Sequence, residues 1–139
     1  IESSTGNFIG ITQVASNGFE NTIVGNTIDL SNVSVANTGT GISLGTDALN
    51  GRSIISGNEI INVKTYGIYT NALLTIIIGN LISVGDTGVT GIYLDTAADN
   101  SNVDGNSIDG QDSASSAGIV NAGLNNNISG NAIIIFLYL

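Results

Sequence analysis

The sequence predicts an all-β chain wound as a single-stranded parallel β-helix, a β-solenoid of about five coils of about 26 residues each, and three observations carry that expectation. The pair Gly-Asn recurs at Gly25-Asn26, Gly57-Asn58, Gly79-Asn80, Gly105-Asn106 and Gly130-Asn131. Two residues before each glycine stand Ile23, Ile55, Ile77, Val103 and Ile128, and three after it stand Ile28, Ile60, Ile82, Ile108 and Ile133. A second pair, Gly-Ile, interleaves with the first at Gly10-Ile11, Gly41-Ile42, Gly67-Ile68, Gly91-Ile92 and Gly118-Ile119. The apolar runs are short, rich in Ile and Val, and punctuated by Gly, Asn, Ser and Thr, which is the chemistry of strands. Helical repeats of this length would need runs of roughly 10 to 12 residues built from good helix formers.

Spacing and parity justify the corners. The Gly-Asn spacings of 32, 22, 26 and 25 and the Gly-Ile spacings of 31, 26, 24 and 27 count the same unit. Repeats of this length bury their apolar face by stacking on neighbours, and a four-stranded propeller blade would need about 40 residues. Within an uninterrupted strand, residues five apart face opposite sides. Both columns flanking Gly-Asn are nevertheless apolar, so the pair must reset the alternation and turn both columns inward. Gly and Asn are the residues that most readily take the left-handed backbone such a corner demands. Coils about 4.8 Å apart make a rod roughly 24 Å long. Asn26, Asn58, Asn80, Asn106 and Asn131 then form a structural ladder, each side-chain amide donating to the next.

In chain order, a polar start leads into Phe8-Ile-Gly-Ile11, a Ser-Asn-Gly link and the first corner segment, Thr22 to Leu30. Insertions at 31–40, 45–53, 95–101 and 111–117 read as loops along the sides of the rod. Asn32-Val-Ser34 and Asn127-Ile-Ser129 match the N-glycosylation pattern, a weak signal in an Asn-rich chain. The end, Ala132 to Leu139, is an apolar strand without polar alternation, too short to span a bilayer. It is expected to fold over the open end of the rod or to pack against another chain. Residues 1–139 read as a single domain, and because the chain opens at Ile1 inside an ordinary repeat, it reads as a partial or processed product.

Composition excludes several functions. With a net charge of −9 and only two cations, Arg52 and Lys64, the surface repels phosphate backbones and anionic headgroups, so neither nucleic acid nor membrane is an expected partner. The chain has no Cys and no His, which removes thiol chemistry, zinc sites of the usual ligands and a histidine base for a serine nucleophile.

The segments Thr22-Ile-Val-Gly-Asn-Thr-Ile28, Ile54-Ile-Ser-Gly-Asn-Glu-Ile60 and Asn127-Ile-Ser-Gly-Asn-Ala-Ile133 resemble the repeat of right-handed parallel β-helix proteins, the pectate-lyase-like superfamily that includes phage tailspikes. The resemblance covers roughly residues 7 to 135. It implies a right-handed coil and a three-sheet cross-section, with which a third strand at Leu30–Val33, Ile61–Val63 and Leu81–Val84 is compatible. It does not imply one activity, since the fold hosts lyases, hydrolases, adhesins and inert stalks. The Asp-Asp pair, Gly-His-Gly and Arg-x-Lys of the family's hydrolases do not occur. For a lyase-type base only Arg52 and Lys64 remain, and both have structural readings. Arg52 shares a column with Glu20, and Lys64 with Asp86, as cross-coil ion pairs worth about 0.2–1 kcal/mol each.

Two clusters are candidate sites. Asp95, Asp99 and Asp104 lie in an acidic stretch whose oxygens suit calcium, the one cofactor the sequence leaves open, or which simply forms Asx turns. Tyr69 and Tyr93 each follow an inward isoleucine, so both point outward at equivalent positions of consecutive coils. With Asn71 and Asp95 beside them they form a carbohydrate platform or, alternatively, a surface that packs under a loop or another subunit. No catalytic residue is expected. The leading functional reading is a non-catalytic structural and binding module of an extracellular, cell-surface or virion fibre, recognising a polysaccharide and associating with itself. The alternatives are a lyase or hydrolase fragment of the same superfamily and a self-assembling filament subunit without ligand.

Overall fold

The computed structural model describes residues 8–13, 20–33, 38–45, 52–85, 88–110 and 116–134. These residues form short strands and no helix. The strands come in successive triplets, or rungs. Rung 1 holds β1 (Phe8–Gln13), β2 (Thr22–Val24) and β3 (Thr27–Asp29), and rung 2 holds β4 (Gly39–Leu44), β5 (Ile54–Ser56) and β6 (Glu59–Val63). Rung 3 holds β7 (Tyr66–Thr70), β8 (Ile76–Ile78) and β9 (Leu81–Val84). Rung 4 holds β10 (Thr90–Leu94), β11 (Asn102–Asp104) and β12 (Ser107–Asp109), and rung 5 holds β13 (Ala117–Asn121), β14 (Asn127–Ser129) and β15 (Ala132–Ile134). Each strand pairs in parallel with its equivalents in the adjacent rungs, giving three five-stranded sheets: β1-β4-β7-β10-β13, β2-β5-β8-β11-β14 and β3-β6-β9-β12-β15. The chain is a parallel β-solenoid.

The corner between the second and third sheets is the Gly-Asn pair, with a division of labour inside it. Gly25, Gly57, Gly79, Gly105 and Gly130 all lie in the left-handed region, at φ between 60 and 67°. Their asparagines do not, so the glycine alone makes the bend while the asparagine works through its side chain. The backbone N–H and the Nδ2 of Asn58 both donate to Oδ1 of Asn80, at 3.0 and 2.9 Å. Asn26 donates in the same way to Asn58, Asn80 to Asn106 and Asn106 to Asn131. From Asn58 onward each Nδ2 also reaches back a rung, that of Asn80 to the Ile55 carbonyl at 3.0 Å and that of Asn106 to the Ile77 carbonyl at 3.0 Å. Asn58, Asn80 and Asn106 are buried, and the ladder gives each of their amides full partners, without which burial would be costly.

The register aligns the two isoleucine columns that parity turns inward. Ile23, Ile55, Ile77, Val103 and Ile128 are neighbours in the second sheet, and Ile28, Ile60, Ile82, Ile108 and Ile133 in the third. The first sheet adds Ile42, Ile68 and Ile92, fully buried, and full burial of such a side chain stabilises by about 1.5–3 kcal/mol.

The Gly-Ile pairs have a steric explanation. A Cβ on Gly10, Gly67, Gly91 or Gly118 would sit 2.6 Å from the Cγ2 of Ile28, Ile82, Ile108 or Ile133 of the same rung, and Gly41 faces Ile60 likewise. The glycine therefore faces the core together with the isoleucine after it, which breaks the two-residue alternation of the first sheet.

Two expectations need correction. Leu30–Val33 is a turn and not a strand: the Asp29 carboxylate accepts the Ser31 N–H at 2.8 Å and the Val33 N–H bonds the Leu30 carbonyl at 3.0 Å. Ile61–Val63 and Leu81–Val84 belong to β6 and β9, so the third strand starts directly at the corner. The insertion 95–101 is a run of tight turns, the Ala98 N–H closing on the Asp95 carbonyl at 2.8 Å. Most of the other insertions, and the tail beyond Ile134, lie outside the described residues.

The two ends of the rod differ. In rung 1 the inward Ile23 and Ile28 are 9% and 7% exposed, whereas in rung 5 Ile128 and Ile133 are 41% and 44% exposed.

Candidate functional site

The outer face of the first sheet carries the candidate site. Its registered outward columns run Thr12, Ser43, Tyr69, Tyr93, Val120 and Ile9, Thr40, Tyr66, Thr90, Ala117, so three tyrosines rise from a surface of mostly small side chains. Tyr69 and Tyr93 are stacked, with ring centroids 5.9 Å apart and planes at 10°. Tyr66 leans across both at 5.5 and 5.2 Å, tilted by 41° and 49°. Such aromatic pairs are worth about 0.5–1.5 kcal/mol beyond the area they bury.

Tyr66 escapes a strict reading of alternation, which would place it inward two residues before Ile68. Because Gly67 and Ile68 both face the core, Tyr66 and Tyr69 emerge on the same outer face. The signal was the Gly-Ile pair itself, taken as a doubly inward step.

The hydroxyl of Tyr69 donates to Oδ2 of Asp95 at 2.6 Å. Burial, followed by this bond to a carboxylate, pushes the Tyr69 phenol up to about 12. The same bond and the Thr96 N–H, 2.7 Å from Oδ1, hold the Asp95 carboxyl below its ordinary value. Asp95 is therefore an ionised acceptor at neutral pH, aimed by a phenol that keeps its proton. Asn71 stands behind it, since its Oδ1 accepts the Ala97 N–H at 2.9 Å and so anchors the turn that carries Asp95. The hydroxyls of Tyr66 and Tyr93 make no hydrogen bond among the described residues.

The structure brings Tyr69, Tyr93 and Asp95 together, with Asn71 as a support. It does not gather the three carboxylates. Oδ1 of Asp99 accepts the Leu124 N–H at 2.6 Å and that of Asp104 accepts the Ser129 hydroxyl at 3.0 Å, each bound to a different part of rung 5. Among the described residues no three acidic side chains form a group that could hold a metal. Glu20 and Arg52 each stand two residues before the paired Thr22 and Ile54 of adjacent rungs, both exposed, and close no ion pair among the described residues. Asp86, the expected partner of Lys64, lies outside the described residues.

The fold and this face define a β-solenoid with a polar-tipped aromatic patch. No protein family matches the chain, and neither a curated protein nor a solved structure matches it.

Proposed function

We propose that the chain is a non-catalytic structural and binding module, a β-solenoid of an extracellular, cell-surface or virion fibre of the right-handed, pectate-lyase-like kind, and that it contacts a neutral polysaccharide through the first sheet. The observation that carries this reading is the cluster of Tyr66, Tyr69 and Tyr93 beside ionised Asp95. Sugar rings present apolar C–H faces rimmed by hydroxyls. Aromatic rings with polar tips complement both features, and a carboxylate accepts hydroxyl donors strongly. The net charge of −9 disfavours acidic polymers.

A saccharide array followed by calorimetry on the best neutral oligosaccharide tests this. Binding should occur in the wild type and fall at least tenfold in Tyr93→Ala and Tyr69→Ala, with circular dichroism unchanged. Absence of binding to every neutral glycan, or binding indifferent to both substitutions, overturns the reading. Cleavage of acidic or neutral polysaccharides, with or without calcium, would overturn its non-catalytic part.

A further inference from the structure

We propose that the outer face of the second sheet is a docking surface for a second copy of this chain, the two rods lying side by side and parallel about a two-fold axis that runs along them over the column of Ile55 and Ile77. The middle of that face is apolar. Ile54 and Ile76 stand in register on it, half-buried, and Ile78 stands two residues beyond Ile76 on the same side. Leu74, before β8, and Leu81, just past the Gly79-Asn80 corner, extend the line, and Leu74, Ile78 and Leu81 are between 39 and 45% exposed. An aliphatic strip left to water on a chain of net charge −9 marks a surface that meets a partner.

The order of residues along each rung supplies the choice of a second copy. A two-fold axis along the rods keeps the rungs level and reverses the strand direction, so a residue that precedes the inward column meets one that follows it in the other copy. In rung 3 Leu74 then meets Leu81 of the second copy, and Ile76 meets Ile78. The equivalent positions in rung 2 are Arg52, Ile54, Ser56 and Glu59, so Arg52 at one rim faces Glu59 at the other copy's opposite rim. Both are exposed, and Arg52 closes no ion pair among the described residues. In rung 4 the central positions are Asn102 and Asp104. The Asn102 Oδ1 accepts from Nδ2 of Asn127 at 2.7 Å, which leaves the Asn102 Nδ2 to donate to the Asp104 carboxylate of the second copy. The face is thus complementary to itself on three consecutive rungs. Nowhere along them does the axis set one acid against another.

Packing the same faces with the rods antiparallel, about an axis along β8, is the poorer arrangement. It sets rung 2 over rung 4, which places Arg52 opposite Asn100 and Glu59 opposite Ser107. Facing sheets pack about 10 Å apart, and a face roughly 24 Å by 20 Å covers on the order of 500 Å² per copy, below the about 800 Å² of a standard interface. The association is therefore weak and concentration-dependent, and it closes at two copies. The tyrosines lie on the first sheet and stay open in the pair.

Sedimentation of the full chain up to about 1 mM, repeated with charge-reversed variants, tests this. The wild-type mass should double and then stop rising. Arg52→Glu and Glu59→Arg should each weaken the pairing about tenfold or more, because each sets like charges against one another at both rims. Mixed in equal amounts, the two variants should pair again, since each supplies the charge that the other lacks. Ile78→Asp should abolish pairing while circular dichroism stays unchanged. A mass that remains monomeric at every concentration, growth beyond two copies, or a mixture that associates no better than either variant alone overturns the proposal.

Discussion

The Cγ2 methyl of Ile108 occupies the space that a Cβ on Gly91 would need, at 2.6 Å, and the carbonyl oxygen of Gly118 closes the same space from the next rung at 2.7 Å. One contact is a side chain and the other is backbone, so the site has little freedom to yield. Gly91→Ala should destabilise by about 1–3 kcal/mol through overpacking. Chemical denaturation of the variant, with a lowered midpoint and an unchanged slope, is the measurement. A midpoint within error of wild type would mean that the rung can widen without loss.

Gly79 is the opposite kind of glycine. At φ 62° its missing Cβ would meet nothing within 4 Å, so only the backbone conformation selects glycine there. Gly79→Ala should cost about 1–2 kcal/mol, the left-handed penalty, and Gly79→Asn distinctly less because Asn tolerates that region. At Gly91 the order should reverse, the larger Asn being worse than Ala. Melting temperatures of the four variants give the comparison directly.

Removing one member of the ladder should cost more inside than at the end. In Asn80→Ala the N–H and Nδ2 of Asn58 lose their acceptor, and the buried Ile55 carbonyl loses a donor. Buried polar groups left unpaired cost about 1–3 kcal/mol each. Asn131→Ala deprives the equivalent groups, the N–H and Nδ2 of Asn106 and the Val103 carbonyl, but at a more exposed rung where water can replace the lost amide. Equal losses at the two positions would argue against a cooperative column.

The pairing of Tyr69 with Asp95 predicts a pH signature at both extremes. Tyr69 titrates near 12 in the folded chain against 10.0 ordinarily, so its contribution is complete below pH 10 and is lost as pH rises towards 12. Asp95 is shifted the other way: its contribution is complete above its ordinary value of 3.8 and is lost as the pH falls through its lowered folded value. Ultraviolet titration of tyrosinate should show one phenol ionising late. Asp95→Asn should bring that phenol down while leaving it above 10, since burial is the larger cause. A late phenol that persists in Tyr69→Phe would assign the shift to another tyrosine.

Much of this architecture is legible in the sequence because a solenoid repeats its physics in every coil. The five Gly-Asn pairs announce the corner, and the parity of Ile23 against Ile28 announces that both face inward. What escapes is whatever depends on contact between parts of one rung. Nothing local to Gly67 tells that Ile82 will fill its space, and so alternation alone misplaces Tyr66. Likewise Asp95, Asp99 and Asp104 sit close in sequence, yet the turns between them send each to a different neighbour: Tyr69, Leu124 and Ser129. The tyrosine pair was readable because Tyr69 and Tyr93 are related by the repeat. The bond to Asp95 follows only once the turn that carries it is placed.

The unequal ends give the molecule a direction in time as well as in space. Each strand bonds only to the rungs next to it, so order can be lost rung by rung, and among the described rungs the opening that exposes least new surface is that of rung 5, where the inward isoleucines are already wet. Amide hydrogen exchange should then trace a gradient, fastest in β14 and β15 and slowest through rungs 2 and 3. The tyrosine face spans rungs 3 and 4 and lies behind that fraying front. Whatever occupies the last rung therefore sets how long the aromatic patch stays assembled.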